Sequence, residues 1–173
     1  ELFPLFPPGE TCGGFSFTGP SSIPAGCKRV DGIVTVSVAT VADLSGIVAI
    51  AGTLRINSAT IVNSSTLRIV TSIYSGGTQT DWNFPELRVI CSFDTQYTTS
   101  GIHFPRLGDD GPFTIKFFGT RTPYLDMGSI GGGPSAILSG YFQATTVVGT
   151  GGVASLGGTG GTIEVHESIA FPN

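Results

Sequence analysis

From Asp31 onward the apolar positions alternate with polar ones in short runs, each opened by a glycine and each set off by turn residues. "GIVTV" begins at Gly32 and "GTLRI" at Gly52, twenty residues on. Period-two alternation of this kind marks half-buried strands. "TLRI" returns at Thr66 to Ile69, "LRVI" follows at Leu87 to Ile90, and Phe-Pro-x-Leu occurs at Phe84 and again at Phe104. "TPYL" at Thr122 to Leu125 is a fainter echo. Strands are expected near 33–38, 50–56, 67–73, 87–93, 113–118, 137–143 and 161–166, at a spacing in the low twenties. That spacing is the period of a solenoid, in which each turn adds a strand to a parallel sheet and inward Leu, Ile or Val residues form ladders that no single turn can bury alone. Leu54, Leu67, Leu87 and Leu107 are expected to face inward, with Glu86 and Arg106 at equivalent exterior positions of the two Phe-Pro-x-Leu corners. The fold class is all-β, a parallel β-solenoid; an antiparallel β-sandwich or jelly roll is the alternative.

The first thirty residues have a different texture. They are dense in proline and read as an extended arm and cap, with a single solenoid domain over 31–173. Leu2, Phe3, Leu5 and Phe6 must cover apolar surface, either on this domain or on a neighbouring molecule. Cys12 and Cys27 flank a Gly/Pro/Ser-rich loop, and a bridge between them would constrain the unfolded chain by about 3 kcal/mol. Cys91, the odd cysteine, is expected to be a buried thiol.

Composition favours strands over helices. Glycine fills 26 of 173 positions, only 12% of residues are charged, and the mean hydropathy is +0.29. A net charge of −4 with eight basic residues and no basic run argues against nucleic acid. The longest apolar stretch, 33–51, is broken by Asp43 and is not a membrane span. The chain begins at Glu1, which fits a processed, exported protein; "NSS" at Asn63 is a glycosylation acceptor sequence of the same tendency.

"GCKRVDGIVTV", "DLSGIVAIAGTLRI", "NFPELRVI" and "HFPRL" resemble the receptor L-domain family, the leucine-rich-repeat-like β-helices of growth-factor and insulin receptor ectodomains, with related modules in fungal wall-anchored proteins. Cys27, Gly32 to Val36, Ile50 to Ile56 and Phe84 to Ile90 stand where that family has its cysteine, its glycine-led strands and its Phe-x-x-Leu corners. The likeness covers residues 26–107 and stops after 108, where Gly-rich stretches replace the leucines. It implies a right-handed solenoid on an extracellular surface protein.

Candidate chemistry is sparse. His103 and His166 stand apart, "MGSIG" has Met127 where a nucleophile elbow needs glycine, and the Gly-rich runs lack phosphate-cradling spacing and read as tight turns. Asp109 and Asp110 in "GDDG" are a candidate Ca²⁺ pair, for which a polar turn is the simpler reading. "YSGGTQTDWNF" is a candidate recognition loop, with Tyr74, Gln79 and Trp82 as binding residues; for Trp82 a corner plug is the simpler reading. No catalytic residue, cofactor or metal is assigned. The expected function is a non-enzymatic, secreted or cell-surface recognition or structural module with a protein partner. Self-assembly into a filament or coat is the alternative, followed by a glycan- or ice-binding solenoid, for which the threonines are too scattered.

Overall fold

The computed structural model describes residues 6–107 and, beyond them, the backbone of four strands; side chains are described over 6–76, 81–94 and 101–107. The chain runs through a 3₁₀ turn (Pro8–Glu10), β1 (Thr11–Phe17), a second 3₁₀ turn (Pro20–Ser22), β2 (Arg29–Ser37), β3 (Val41–Asp43), β4 (Ala49–Ser58) and β5 (Ile61–Asn63). The longer strands β6 (Ile69–Asn83), β7 (Val89–His103), β8 (Thr114–Asp126) and β9 (Ala136–Val148) follow, then β10 (Val153–Leu156) and β11 (Ile163–Ile169). All their pairings are parallel, in the order β1-β2-β4-β6-β7-β8-β9-β10, with β11 also on β9 and β3 pairing through β5 to β6. The fold is a β-solenoid, and the parallel pairing excludes the antiparallel sandwich.

Each turn contributes three strand runs rather than the one expected from the sequence. Ala49, Ile69 and Val89 open equivalent first runs after Arg29. Second runs place Val34, Leu54, Ile73 and Phe93 side by side, and third runs do the same for Ala42, Val62, Trp82 and Ile102. The third runs escaped the sequence reading because β3 and β5 are only three residues long and their exterior Val41 and Ile61 spoil the alternation. β10 was missed because its four residues lie between glycines read as turns.

Inward residues stack into columns along the axis. Val30, Ile50, Val70 and Ile90 form one; Ile47, Leu67, Leu87 and Leu107 form another at the corner between third and first runs; all are essentially inaccessible to solvent. Leu54, Leu67, Leu87 and Leu107 are therefore inward as expected, but Leu54 belongs to a different column from the other three. The recurrence of "TLRI" is accidental: the first copy crosses a second run, the second leads into a first run. "TPYL" is likewise no corner, since Leu125 pairs with Ile102 inside β8.

The repeated Phe-Pro-x-Leu phrase is the corner itself. Leu87 N–H donates to Phe84 O at 3.2 Å and Leu107 N–H to Phe104 O at 3.1 Å, closing turns in which Pro85 and Pro105 hold the second position that proline's fixed φ suits. Two turns before Phe84 the corner is Leu44 to Ile47, closed by the same bond and with Gly46 at φ +108°. At Ser64 the side chain takes over, its Oγ accepting from Leu67 N–H at 3.1 Å. Phe84 and Phe104 are both buried, their rings stacked with centroids 5.6 Å apart. Outside, Arg106 Nη1 lies 2.8 Å from Glu86 Oε2, so the two exterior positions form a rung between turns.

The N-terminal end is closed by its own segment. Cys12 and Cys27 are disulfide-bonded, Phe17 is fully buried, and Cys12, Phe15 and Ile23 pack over the first core layer. β1, which the sequence reading absorbed into the cap, is the edge strand of the sheet. Phe6 packs against Ala49, Ile69 and Val89, an exterior column on three successive first runs. As far as the arm is described, it engages its own solenoid; Leu2, Phe3 and Leu5 lie outside the described residues. Cys91 is free as expected, but half-buried rather than buried, because residue 91 follows inward Ile90 onto the outside of the bend.

Two substitutions test this packing. Leu87→Ala removes a side chain sealed between turns and is expected to cost about 2–5 kcal/mol in denaturant unfolding. Gly52→Ala adds a Cβ that would collide with the carbonyl oxygen of Gly32 on the preceding turn. It is expected to lower stability by about 1–3 kcal/mol, as over-packing does, although alanine would be harmless on an ordinary strand exterior.

Candidate ligand-facing site

Alternation decides what the second runs show to solvent. With Val34 and Val36 inward, Ile33 and Thr35 face out; with Leu54 and Ile56 inward, Thr53 and Arg55 do; Ile73 inward turns out Ser72 and Tyr74; Phe93 inward turns out Ser92 and Asp94. Strand register then aligns these residues into two exterior columns. Thr35, Arg55, Tyr74 and Asp94 are successive register partners, as are Thr53, Ser72 and Ser92.

Ile33, Thr53, Arg55 and Tyr74 line a recess of about 240 Å³ on this face. Ile33 is 51% and Tyr74 39% exposed; among the described residues Val41, on a third run, is the other large apolar side chain exposed to this degree. The guanidinium carbon of Arg55 lies 5.4 Å from the centroid of the Tyr74 ring, a cation–π contact. Among the described residues Arg55 forms no salt bridge, unlike Lys28 with Glu10 at 2.6 Å, Arg29 with Asp31 at 2.7 Å and Arg106 with Glu86. The columns continue through a 2.9 Å hydrogen bond from Ser92 Oγ to Ser72 Oγ. Asp94 is partly enclosed beyond Tyr74, and this burial pushes its carboxyl pKa above the usual value.

A larger groove of about 680 Å³ is lined by Phe6, Lys28, Val48, Ser65, Thr66, Arg68 and Glu86. It is the weaker candidate. The chain's own Phe6 enters it, and Lys28 and Glu86 are already engaged with Glu10 and Arg106.

Tyr74 and Trp82 face opposite sides of their strand and do not gather into a recognition loop. The stretch holding them is no insertion but part of the continuous strand β6. Register places Trp82 in the column of Ala42, Val62 and Ile102, fully buried and edge-on to Phe84 and Phe93 at centroid distances of 6.0 and 5.6 Å. Its indole N–H is enclosed without an acceptor, so the residue is a core plug. Tyr74 is on the outside; the Gln79 side chain lies outside the described residues. Arg55, Ile33 and Thr53 went unnoticed in the sequence, and the signal that would have found them is the rank of outward positions.

Asn63 ends β5, half-buried, in register with Asp43 and Asn83, with its Oδ1 enclosed and unpartnered. His103 Nε2 lies 3.0 Å from Asp81 Oδ1 and is not isolated. Asp109 and Asp110, and the side chain of His166, lie outside the described residues, as does "MGSIG". Among the described residues no three His, Cys, Asp or Glu side chains gather to hold a metal ion. Comparison of the chain with protein-family models, with curated proteins and with solved structures finds no match.

The raised Asp94 pKa has a sign that can be checked. Its protonated form is favoured by folding, so this contribution to stability is full below the unfolded pKa of about 3.9 and is lost as pH rises through the folded value. Asp94→Asn should therefore raise the melting temperature at pH 7 relative to the parent chain, with the difference shrinking as pH falls below about 4.

Proposed function

We propose that the chain is an exported, non-catalytic recognition module, in which the solenoid is a stiff frame and the exterior columns of the second runs are the contacting surface. The observation that carries this reading is the recess at Arg55 and Tyr74: an exposed aromatic ring, an exposed aliphatic side chain and a cation without a carboxylate partner among the described residues, all fixed by one parallel sheet. Aromatic residues and arginine dominate the energetics of recognition surfaces, and a site on paired strands loses little entropy on binding. The Cys12–Cys27 disulfide supports the exported part of the reading, since such bridges persist in oxidising compartments. No helix among the described residues is long and apolar enough to cross a membrane. The resemblance of residues 26–107 to receptor L-domains points the same way. A self-assembling subunit has less support, because Phe6, the described part of the arm invoked for it, packs in cis.

Arrayed extracellular glycans and peptides test the reading. The Arg55→Gln/Tyr74→Ala double variant changes exterior positions and should unfold within about 1 kcal/mol of the parent, while losing the parent's array signals. A variant that matches the parent on the whole array would remove the second-run face from the function.

A further inference from the structure

We propose that the Ile33, Thr53, Arg55 and Tyr74 recess binds an acidic sugar residue of a glycan laid along the solenoid axis. The inference deepens the recognition reading and rests on it.

The ligand's charge follows from Arg55. Its guanidinium carbon lies over the face of the Tyr74 ring, 5.4 Å from the centroid, and the group carries five N–H donors. Its register neighbours are Thr35 and Tyr74, and among the described residues it has no salt bridge. A guanidinium braced in this way is suited to a bidentate carboxylate.

The rest of the ligand follows from the walls. Ile33 and the Tyr74 ring offer apolar surface that an inorganic anion cannot use, so the carboxylate must belong to a molecule with an apolar face. A volume near 240 Å³ accommodates one ring-sized unit. Strand pairing already engages the backbone here, which leaves the guanidinium, the hydroxyls of Thr35, Thr53 and Tyr74 and the mutually hydrogen-bonded Ser72–Ser92 pair as outward polar groups. A peptide would bring main-chain amides with no strand edge to meet them. A sugar acid brings ring hydroxyls, an apolar ring face and the carboxylate. The hydroxyls of Thr53, Ser72 and Ser92 climb the axis in steps of about 4.8 Å, giving an extended saccharide a direction. Asp94, the next register partner beyond Tyr74, sets the polarity: a second acidic group is disfavoured there, so the acid binds at Arg55.

The test is an amide chemical-shift titration of the intact chain at low salt with three probes: a linear tetramer of hexuronic acid, the neutral hexose tetramer of the same linkage, and an end-capped tetraglutamate peptide. The uronate should saturate and shift amides around Thr53, Arg55 and Tyr74, with at least tenfold weaker binding in Arg55→Gln, an exposed change whose spectrum shows whether the fold is kept. The neutral tetramer and the peptide should not saturate. Equal uronate binding by Arg55→Gln, or saturation by the peptide or neutral sugar in place of the uronate, overturns the acidic-sugar assignment while leaving a recognition surface. Failure of all three probes to shift this face overturns the assignment, and a parent chain also silent on the glycan and peptide array would take the recognition reading with it.

Discussion

Parallel stacking in register at a twenty-residue repeat is the constraint on which the rest of this molecule depends. Once Val30, Ile50, Val70 and Ile90 are neighbours, every residue between them is assigned to a column, and each column must be consistent along its length. Inward columns stay apolar because a buried polar group without a partner costs more than a buried methylene gains. Two serines stand among the described inward residues: Ser64, whose Oγ is consumed by the backbone N–H groups of Thr66 and Leu67, and Ser75, in the column of Val36 and Ile56. Outward columns form rungs in the same register, Ser45 with Ser65, Ser72 with Ser92 and Glu86 with Arg106. A low charge content is the natural consequence: many exterior polar residues are satisfied by the equivalent residue one turn away.

The period is kept overall but broken locally, beside the candidate site. Four steps separate Ile50 from Leu54, and only three separate Val70 from Ile73. The bend at Gly32 and Gly52 requires glycine because the backbones of adjacent turns come too close for a Cβ. In β6 and β7 the bend is one residue shorter and needs none. The lost residue is restored before Trp82, which is again twenty residues from Val62. Tyr74 therefore stands just past the break, against Arg55 of a turn built with the longer bend, and the recess between them lies where the two turn types meet.

Much of this was legible in the sequence, and what was not has a physical reason. Gly32 and Gly52 revealed the repeat because close backbone approach leaves no other residue type; the two Phe-Pro-x-Leu phrases did so because proline and an inward leucine are both required at the corner. The solenoid, the inward leucines and the Cys12–Cys27 bridge follow from such strict local demands. "TLRI" and "TPYL" misled because several columns accept the same aliphatic residues, so a repeated phrase need not occupy a repeated place. Trp82 was ambiguous for a related reason: only the column holding Ala42, Val62 and Ile102 shows that its side of the strand is the interior. Arg55 and Tyr74 were illegible as a pair because their positions differ by nineteen, in a segment where the local break displaces the twenty-residue period.

The placement of the disulfide and the arm narrows where a partner can approach. An open solenoid end offers unpaired strand edges to another chain, the usual route to end-to-end assembly. Here the N-terminal end carries Phe17, Cys27 and the bridged loop over its first core layer, so the interior columns do not continue outward from that end. The first runs carry Phe6 across Ala49, Ile69 and Val89. Third runs present Asp43, Asn63, Asn83 and His103 in one rank, and His103 is held to Asp81. The second runs differ in kind, because their exposed apolar groups and braced guanidinium are not consumed by the rungs that satisfy the other faces. A contact surface is most economically sought where the stacking rule leaves residues unsatisfied, and the neighbourhood of Arg55 and Tyr74 combines an exposed ring, an exposed aliphatic side chain and a cation without a carboxylate partner among the described residues in one recess.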